Sequence, residues 1–488
     1  MLTRSLHRFF IRSTLLGLVA LFLGSCTTAP RPPQEKASGA LVPQRVDTFV
    51  GNSSAKAYAR RTVDDFLAQQ GQSLNRYVTA ETNIFEFKDA RLVQRLQQKW
   101  AAAKTEGFKV AHFGDSLVQG GYAAEIARNR LQSIGGSAGR GMVFPYSIAK
   151  TYSQNDYKST FSGEWATANS IQQTPRLPLG VSGFVARTSG ADASFTLNFV
   201  STPEPGKKLV KFFYVATSTA FTLRVQSGNF VHDVVVPSGG TQPRSQMLTL
   251  SFPELSDTLR FELRNASPNS GGYFEVHGVS IENTTPGVMY HNLGVGGATY
   301  SALLAQTYFE EQSAQLAPDL IVLDWGTNDL VYKNSIAPDL EKIMVQTIKR
   351  VKAKHPQAVI LITSAQDMNF RRKNITAAWD FAELARRVAF ENDCLFYDWY
   401  RVAGGRGAMT IWTAYGLAST DNIHLTGIGY AVKGDLLAQS LLNTLERFKR
   451  EPAIKSLEIK TTVNIQPHSV VGWLKELSPV PNKRIFYR

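Results

Sequence analysis

The chain has 488 residues, two cysteines and a net charge of +14. That length is ample for a core that needs no disulfide framework. Its basic residues are dispersed: no compact run of Lys and Arg marks a nucleic-acid footprint, so no nucleic-acid partner is expected. A dispersed positive surface suits anionic glycans, cell-wall polymers or lipid head groups.

Arg4, Arg8 and Arg12 precede an apolar stretch from Ser13 to Leu23. The stretch has about the length of a signal-peptide core and is short for a membrane span. Leu23-Gly24-Ser25-Cys26 follows and resembles the bacterial lipobox, in which the cysteine becomes the lipidated first residue. Residues 1–25 are therefore expected to be a lipoprotein signal peptide, with Cys26 as the lipidation site. Residues 26–54 are rich in Pro, Ser, Gln and Gly and read as a flexible tether. Loss of Arg4, Arg8 and Arg12 lowers the charge from +14 to +11. With Cys26 lipidated, Cys394 has no disulfide partner within the chain and reads as a buried strand residue. The expected location is the cell envelope, on the periplasmic face of the inner or outer membrane, through an N-terminal lipid anchor.

Residues 55–160 open the main domain, with helices expected at Ala55–Gln70 and Ala90–Ala103. The apolar run Val110–Phe113 then leads into Gly114-Asp115-Ser116-Leu117. This puts a serine on a tight turn between a strand and a helix, where α/β enzymes gather their ligands. An amphipathic helix follows, with Ala123, Ile126, Ala127, Leu131 and Ile134 on one face. Gly135-Gly136-Ser137-Ala138-Gly139 fits the G-x-S-x-G pattern, but that motif needs a strand before it and a helix after it. It reads instead as a helix stop and loop. From 161 to 284 the pattern changes to short alternating strands at Ser194–Phe199, Leu209–Val215, Phe221–Val225, Val231–Val236, Met247–Phe252, Thr258–Arg264 and Tyr273–Ile281. Such spacing suggests an inserted all-β sandwich. The insert accounts for the 181 positions between Ser116 and Gly297, where a simple β-α-β step needs about 30.

Strand–helix alternation resumes over residues 285–450. Strands Val288–Leu293, Asp319–Trp325, Ala358–Thr363 and Cys394–Asp398 join Phe108–Phe113. Helices are expected over Asp339–Lys354, about Ile375–Asn392, and after His424 with Tyr430, Leu437, Leu441 and Leu445. The expected fold class is α/β, a three-layer α/β/α domain with a parallel sheet and the sandwich threaded into it. Residues 451–488 form a C-terminal extension that could add a strand.

Three blocks follow Ser116 in order: Asn292 to Thr299, Gly326-Thr327-Asn328-Asp329, and Asp421-Asn422-Ile423-His424. A serine hydroxyl needs an adjacent base. His424 would take its proton, and Asp421 would fix the imidazole tautomer. The Asn328 side chain and the backbone N–H groups of Gly297 and Ser116 would form the oxyanion hole. This chemistry requires no metal and no cofactor. His112 and His291 lie in or at the end of apolar runs and read as core or strand-end residues.

The ordered blocks resemble the SGNH hydrolases, also called the GDSL esterase family, over roughly Phe87 to Leu445. The resemblance implies the roles just given and a flavodoxin-like strand order. The sandwich between the first two blocks, and the segment from Gly135 to Pro145, resemble the bacterial peptidoglycan O-acetylesterases. Leu117 stands where many members have histidine, and Ser364-Ala365-Gln366-Asp367 replaces their usual proline-rich turn. The loop from Gln366 to Lys373 leaves the carboxyl end of the sheet, so Gln366 and Arg371 are candidate substrate contacts. The resemblance implies an exported serine esterase that removes acetyl groups from an O-acetylated cell-envelope glycan, first of all peptidoglycan. A lipase, thioesterase or O-acyltransferase could use the same residues. The non-enzyme alternative is a glycan-binding lipoprotein, which would need neither Asp421 nor His424. The insert is left open between binding glycan and walling the cleft.

Overall fold

The apolar runs of the main domain form one parallel sheet in the computed structural model, which describes residues 74, 76–190, 192–217, 221–236, 243–264, 272–459 and 469–476. Its strands are β1 (Phe108–Gly114), β2 (Val288–Gly294), β3 (Leu320–Asp324), β4 (Val359–Thr363) and β5 (Leu395–Tyr397). Their spatial order is 2-1-3-4-5, with every pairing parallel. This is the flavodoxin-like order, whose chain reverses direction across the sheet between β1 and β3.

Both faces of the sheet are covered, so its strands are near-continuous apolar runs. Val110, Val322, Val359 and Leu361 pack with helices Ala90–Ala101, Tyr122–Gly135 and Gly427–Arg450. Phe113, Leu323, Ile360 and Ile362 face the other way, toward helices Leu340–Lys354 and Ala377–Glu391. Among the described residues no helix is long and apolar enough to cross a membrane. The signal segment, Cys26, the tether and the helix expected at Ala55–Gln70 lie outside the described residues.

The insert is two antiparallel sheets face to face. One runs in the order Gln246–Phe252, Lys208–Ala216, Phe274–Asn283, Phe184–Thr188, Ala166–Asn169, and the other Tyr157–Ser162, Ser194–Phe199, Thr258–Arg264, Phe221–Ser227, Phe230–Val236. Stacked rings fill the space between them, with Phe261 placed 4.6 Å from Phe195 and 5.1 Å from Phe212.

Several expectations need correction. Gly139–Val143, where no strand was expected, is a strand on Phe274–Asn283. Its glycines hid it: a Cβ on Gly139 would lie 2.7 Å from backbone atoms of the paired strand. Tyr157–Ser162 pairs with Ser194–Phe199, so the sandwich begins before residue 161. Ile134, assigned to the buried helix face, is 45% exposed. The described part of the extension makes one backbone bridge, Leu457 to Phe87, and a short helix, Val470–Glu476.

A buried ion cluster joins the insert to the main domain. Asp156, directly before the first sandwich strand, accepts from Arg140 Nε at 3.0 Å and from Arg128 of helix Tyr122–Gly135 at 3.3 Å. Burial would raise the Asp156 carboxyl, but Arg140 and Arg128 outweigh it and hold the group well below its ordinary value. A depressed carboxyl stabilises the fold above its unfolded pKa, and that contribution disappears as pH falls through the folded value. Asp156→Asn should therefore cost about 3–5 kcal/mol at neutral pH, because it leaves two buried guanidinium groups unpaired. The deficit should shrink in strong acid, where the wild-type carboxyl is also protonated. Denaturant unfolding at neutral pH and near pH 2 measures this, and equal deficits at both values would contradict it.

Candidate active site

Ser116 stands at the carboxyl end of β1, on a turn that permits little variation. A Cβ on Gly114 would lie 2.3 Å from Val118 Cγ2 and 2.8 Å from the Asp324 carbonyl oxygen. Asp115 then caps the four-residue helix Ser116–Gln119 by accepting the Leu117 N–H at 2.9 Å. Leu117 is buried, so the position after the nucleophile is spent on packing.

The three residues of the expected triad lie within hydrogen-bond reach of one another. Ser116 Oγ lies 2.9 Å from His424 Nε2, and His424 Nδ1 lies 2.7 Å from Asp421 Oδ2. The other Asp421 oxygen accepts the backbone N–H groups of Ile423 and His424, each at 2.9 Å. Burial alone would raise the Asp421 carboxyl. The bonds from His424 and from the backbone reverse that, so it lies below its ordinary value and stays ionised beside the imidazole.

The expected oxyanion donors Gly297 and Asn328 follow β2 and β3, and Ser116 follows β1. Gly297 has φ +85°, a conformation that favours glycine. Neither its N–H nor that of Ser116 finds an acceptor among the described residues. One N–H of the Asn328 amide donates to the Ala298 carbonyl at 3.0 Å. That bond fixes the amide and leaves its second N–H for substrate. Ile171 of the insert sits 3.3 Å from where a Cβ on Gly297 would stand, and it is 49% exposed. The sandwich therefore forms part of the cleft wall. A backbone bond from Tyr308 N to Leu179 O at 2.9 Å, and one from Val181 N to the Gln312 side-chain Oε1 at 2.9 Å, hold this insert loop against the main domain.

Of the two candidate substrate contacts, the structure separates Gln366 from Arg371. Gln366 is 2% exposed, donates to the Ile423 carbonyl and accepts from Trp399 Nε1 at 3.3 Å. Both ends of its amide are spent inside the protein, so it holds the Asp421–His424 loop in place of touching substrate. Asn369 N adds a second tie, to the Asn422 carbonyl at 2.9 Å. Arg371 is exposed on the same loop.

A buried polar layer under the site was not foreseen. Asp324, at the end of β3, accepts from Lys433 Nζ at 2.9 Å and Thr363 Oγ1 at 2.6 Å, with His112 Nε2 at 3.3 Å. His112 also bonds the Tyr290 hydroxyl at 2.8 Å, so it is a satisfied core histidine. His291 is buried, and burial pushes its imidazole down to about 4. Lys433 and Asp324 carry no motif of their own. The polar positions they occupy within otherwise apolar segments were the available signal. Among the described residues no group of three His, Cys, Asp or Glu side chains could hold a metal ion.

Residues 275–432 match the GDSL-like lipase/acylhydrolase family model, a span that contains Gly297, Asn328, Asp421 and His424. Over that span the chain is similar to GDSL-like acylhydrolases. With Ser116 bonded to His424, it is a serine esterase. In fold it is similar to a solved peptidoglycan O-acetylesterase, at 22% identity and TM-score 0.60, over 74% of this chain and 99% of that one. It is also similar to an acetylxylan esterase from Geobacillus stearothermophilus, at 20% identity and TM-score 0.26, over 33% of this chain and 73% of that one. A family two carbohydrate esterase from Cellvibrio japonicus aligns at 12% identity and TM-score 0.24, over 59% and 99% of the two chains. No curated protein matches the sequence.

In the expected mechanism His424 Nε2 would take the proton as Ser116 Oγ bonds to the ester carbonyl carbon. The carbonyl oxygen, then anionic, would receive the N–H groups of Ser116, Gly297 and Asn328. His424 would return the proton to the departing alkoxide, which would leave an acyl-serine, and water would repeat the sequence to release the acid. Ser116→Ala should lower kcat by roughly 10⁴-fold or more, and Asn328→Ala by on the order of 10²–10³-fold. Hydrolysis of a chromogenic acetyl ester measures both, and a Ser116→Ala protein with wild-type rates would rule the assignment out.

Proposed function

We propose that this esterase removes O-acetyl groups from a cell-envelope glycan, peptidoglycan being the first candidate. The observation that carries the reading is the extent of the fold likeness. The 74% of this chain that aligns with the peptidoglycan O-acetylesterase is more than the catalytic domain alone supplies, so the likeness takes in the insert. The wall that Ile171 builds against Gly297 gives the insert a position beside the reacting ester. A sandwich in that position favours a bulky polymeric substrate with a small acyl group over a lipid, which needs a broad apolar approach.

The same proposal places the enzyme in the envelope. Cys26 would be the mature N-terminus and would carry lipid. Stable anchoring then needs more than one acyl chain, because a single chain binds membranes only marginally.

Two measurements test the proposal. Acetyl esters should turn over much faster than octanoyl esters, and acetate should be released from O-acetylated cell wall and not from wall chemically de-acetylated beforehand. Preference for octanoyl, or no acetate from acetylated wall, would remove the substrate assignment. Mass spectrometry of the mature protein should find a lipid-modified Cys26 at its N-terminus, and an unmodified Cys26 or cleavage elsewhere would remove the anchor.

A further inference from the structure

Beyond Asn328 in the chain lies a surface that the triad does not use. Tyr332 follows the short helix Thr327–Leu330 and is 53% exposed. Its ring meets Phe370 edge-on, with centroids 5.3 Å apart at 86°. Phe370 belongs to a small hairpin in which Asn369–Phe370 pairs with Lys373–Asn374. The Arg371 guanidinium lies over the Phe370 ring, 5.1 Å from its centroid. The hairpin is tied to the catalytic loop by the bond from Asn369 N to Asn422 O, at 2.9 Å. The Tyr332 loop is tied to the first turn of the helix that follows the hairpin by Asn334 Oδ1, which accepts the Ala377 N–H at 3.1 Å.

The turn of this hairpin is Arg371-Arg372, with φ values of 49° and 65°. Two positive φ angles in a two-residue loop are the geometry for which Asn-Gly is the favoured pair. Arginine in both places is conformationally unfavourable, and strain of this kind gathers at ligand sites. Arg371, Arg372, Lys373 and the neighbouring Lys333 are all exposed, and none forms an ion pair among the described residues. Other exposed arginines of this chain do pair, as Arg387 does with Glu341 and Arg91 with Asp89. Uncompensated cations and two aromatic rings therefore meet between the loops that carry Asn328 and His424.

We propose that Tyr332, Phe370 and the Arg371–Lys373 turn form a glycan-binding ledge. It would take a carboxylate-bearing stretch of sugar chain next to the acetylated residue. An exposed ring edge offers an apolar surface to the C–H face of a sugar, and unpaired guanidinium groups suit carboxylates. This rests on the glycan reading above and adds to it the charge class of the substrate and the place where it lies.

The decisive variant is Arg371→Asn/Arg372→Gly. It removes two charges and installs the pair that the turn geometry prefers, so loss of binding cannot be ascribed to an unfolded hairpin. Binding is measured in the full chain carrying Ser116→Ala, with soluble peptidoglycan strands as one probe and a neutral acetylated polysaccharide as the other. At low salt the double variant should weaken binding to peptidoglycan strands roughly tenfold more than binding to the neutral polymer, and the difference should vanish near about 0.5 M salt, where surface charges are screened. Arg371→Lys/Arg372→Lys should restore part of the loss, and Tyr332→Ala should weaken both polymers. Equal affinity of the Asn-Gly variant and its parent for peptidoglycan strands, or an equal loss on the neutral polymer, overturns the ledge. Acetate release by the wild type is scored separately. Acetate release without ledge-dependent binding overturns the ledge alone. Ledge-dependent binding without acetate release overturns the O-acetylesterase reading and leaves the ledge.

Discussion

The contact between Ser116 Oγ and His424 Nε2, 2.9 Å long, joins residues 308 positions apart, and much of the fold serves to hold its two ends. One end is fixed by the close approach of Gly114 to Val118 and the Asp324 carbonyl. The other hangs on a loop clamped by Gln366 and Asn369 and then continued by helix Gly427–Arg450, whose first turn Thr426 caps. The strand order puts these ends together. Because the chain reverses across the sheet between β1 and β3, the loops after those strands diverge and leave a crevice. Ser116 and Asn328 line it from either side.

The polar layer beneath the crevice couples the parts that must move least. Lys433, on the helix that follows His424, reaches the Asp324 carboxylate at the end of the strand that delivers Asn328. One buried ion pair thus ties the base's helix to the oxyanion donor's strand. The layer also carries tension. Burial and the nearby Asp324 push the Asp115 carboxyl up to about 6, and burial and Asp115 push Asp329 up to about 7. Both are raised carboxyls, so they favour the fold below their unfolded values and oppose it as pH climbs through the folded ones. The site therefore sacrifices some stability at neutral pH to hold its turns rigid, a common arrangement where catalytic groups must be positioned closely.

The main domain was legible because its signals are periodic and ordered. Each of the five parallel strands is an apolar run, and Ser116, Gly297, Asn328 and the Asp421–His424 pair sit at their ends or in the loop before the last helix. The insert was legible where its strands alternate and illegible where glycine breaks the pattern, as at Gly139–Val143, or where exposure removes it, as in Tyr157–Ser162. Gln366 was misread because a polar residue at the carboxyl edge of a sheet looks alike whether it faces substrate or a neighbouring carbonyl. Only the inward direction of its amide decides between them. The Asp324–Lys433 pair was missed because its members are 109 positions apart and neither belongs to a block.

The central claim is that Ser116 is the nucleophile and depends on His424. An organophosphate ester that phosphorylates activated serines tests it most directly, with the adduct located by peptide mapping. The account predicts one adduct, on Ser116, formed rapidly in the wild type and at a rate lower by on the order of 10³-fold or more in His424→Ala. An adduct on another serine, or labelling of Ser116 at the same rate without His424, would contradict it.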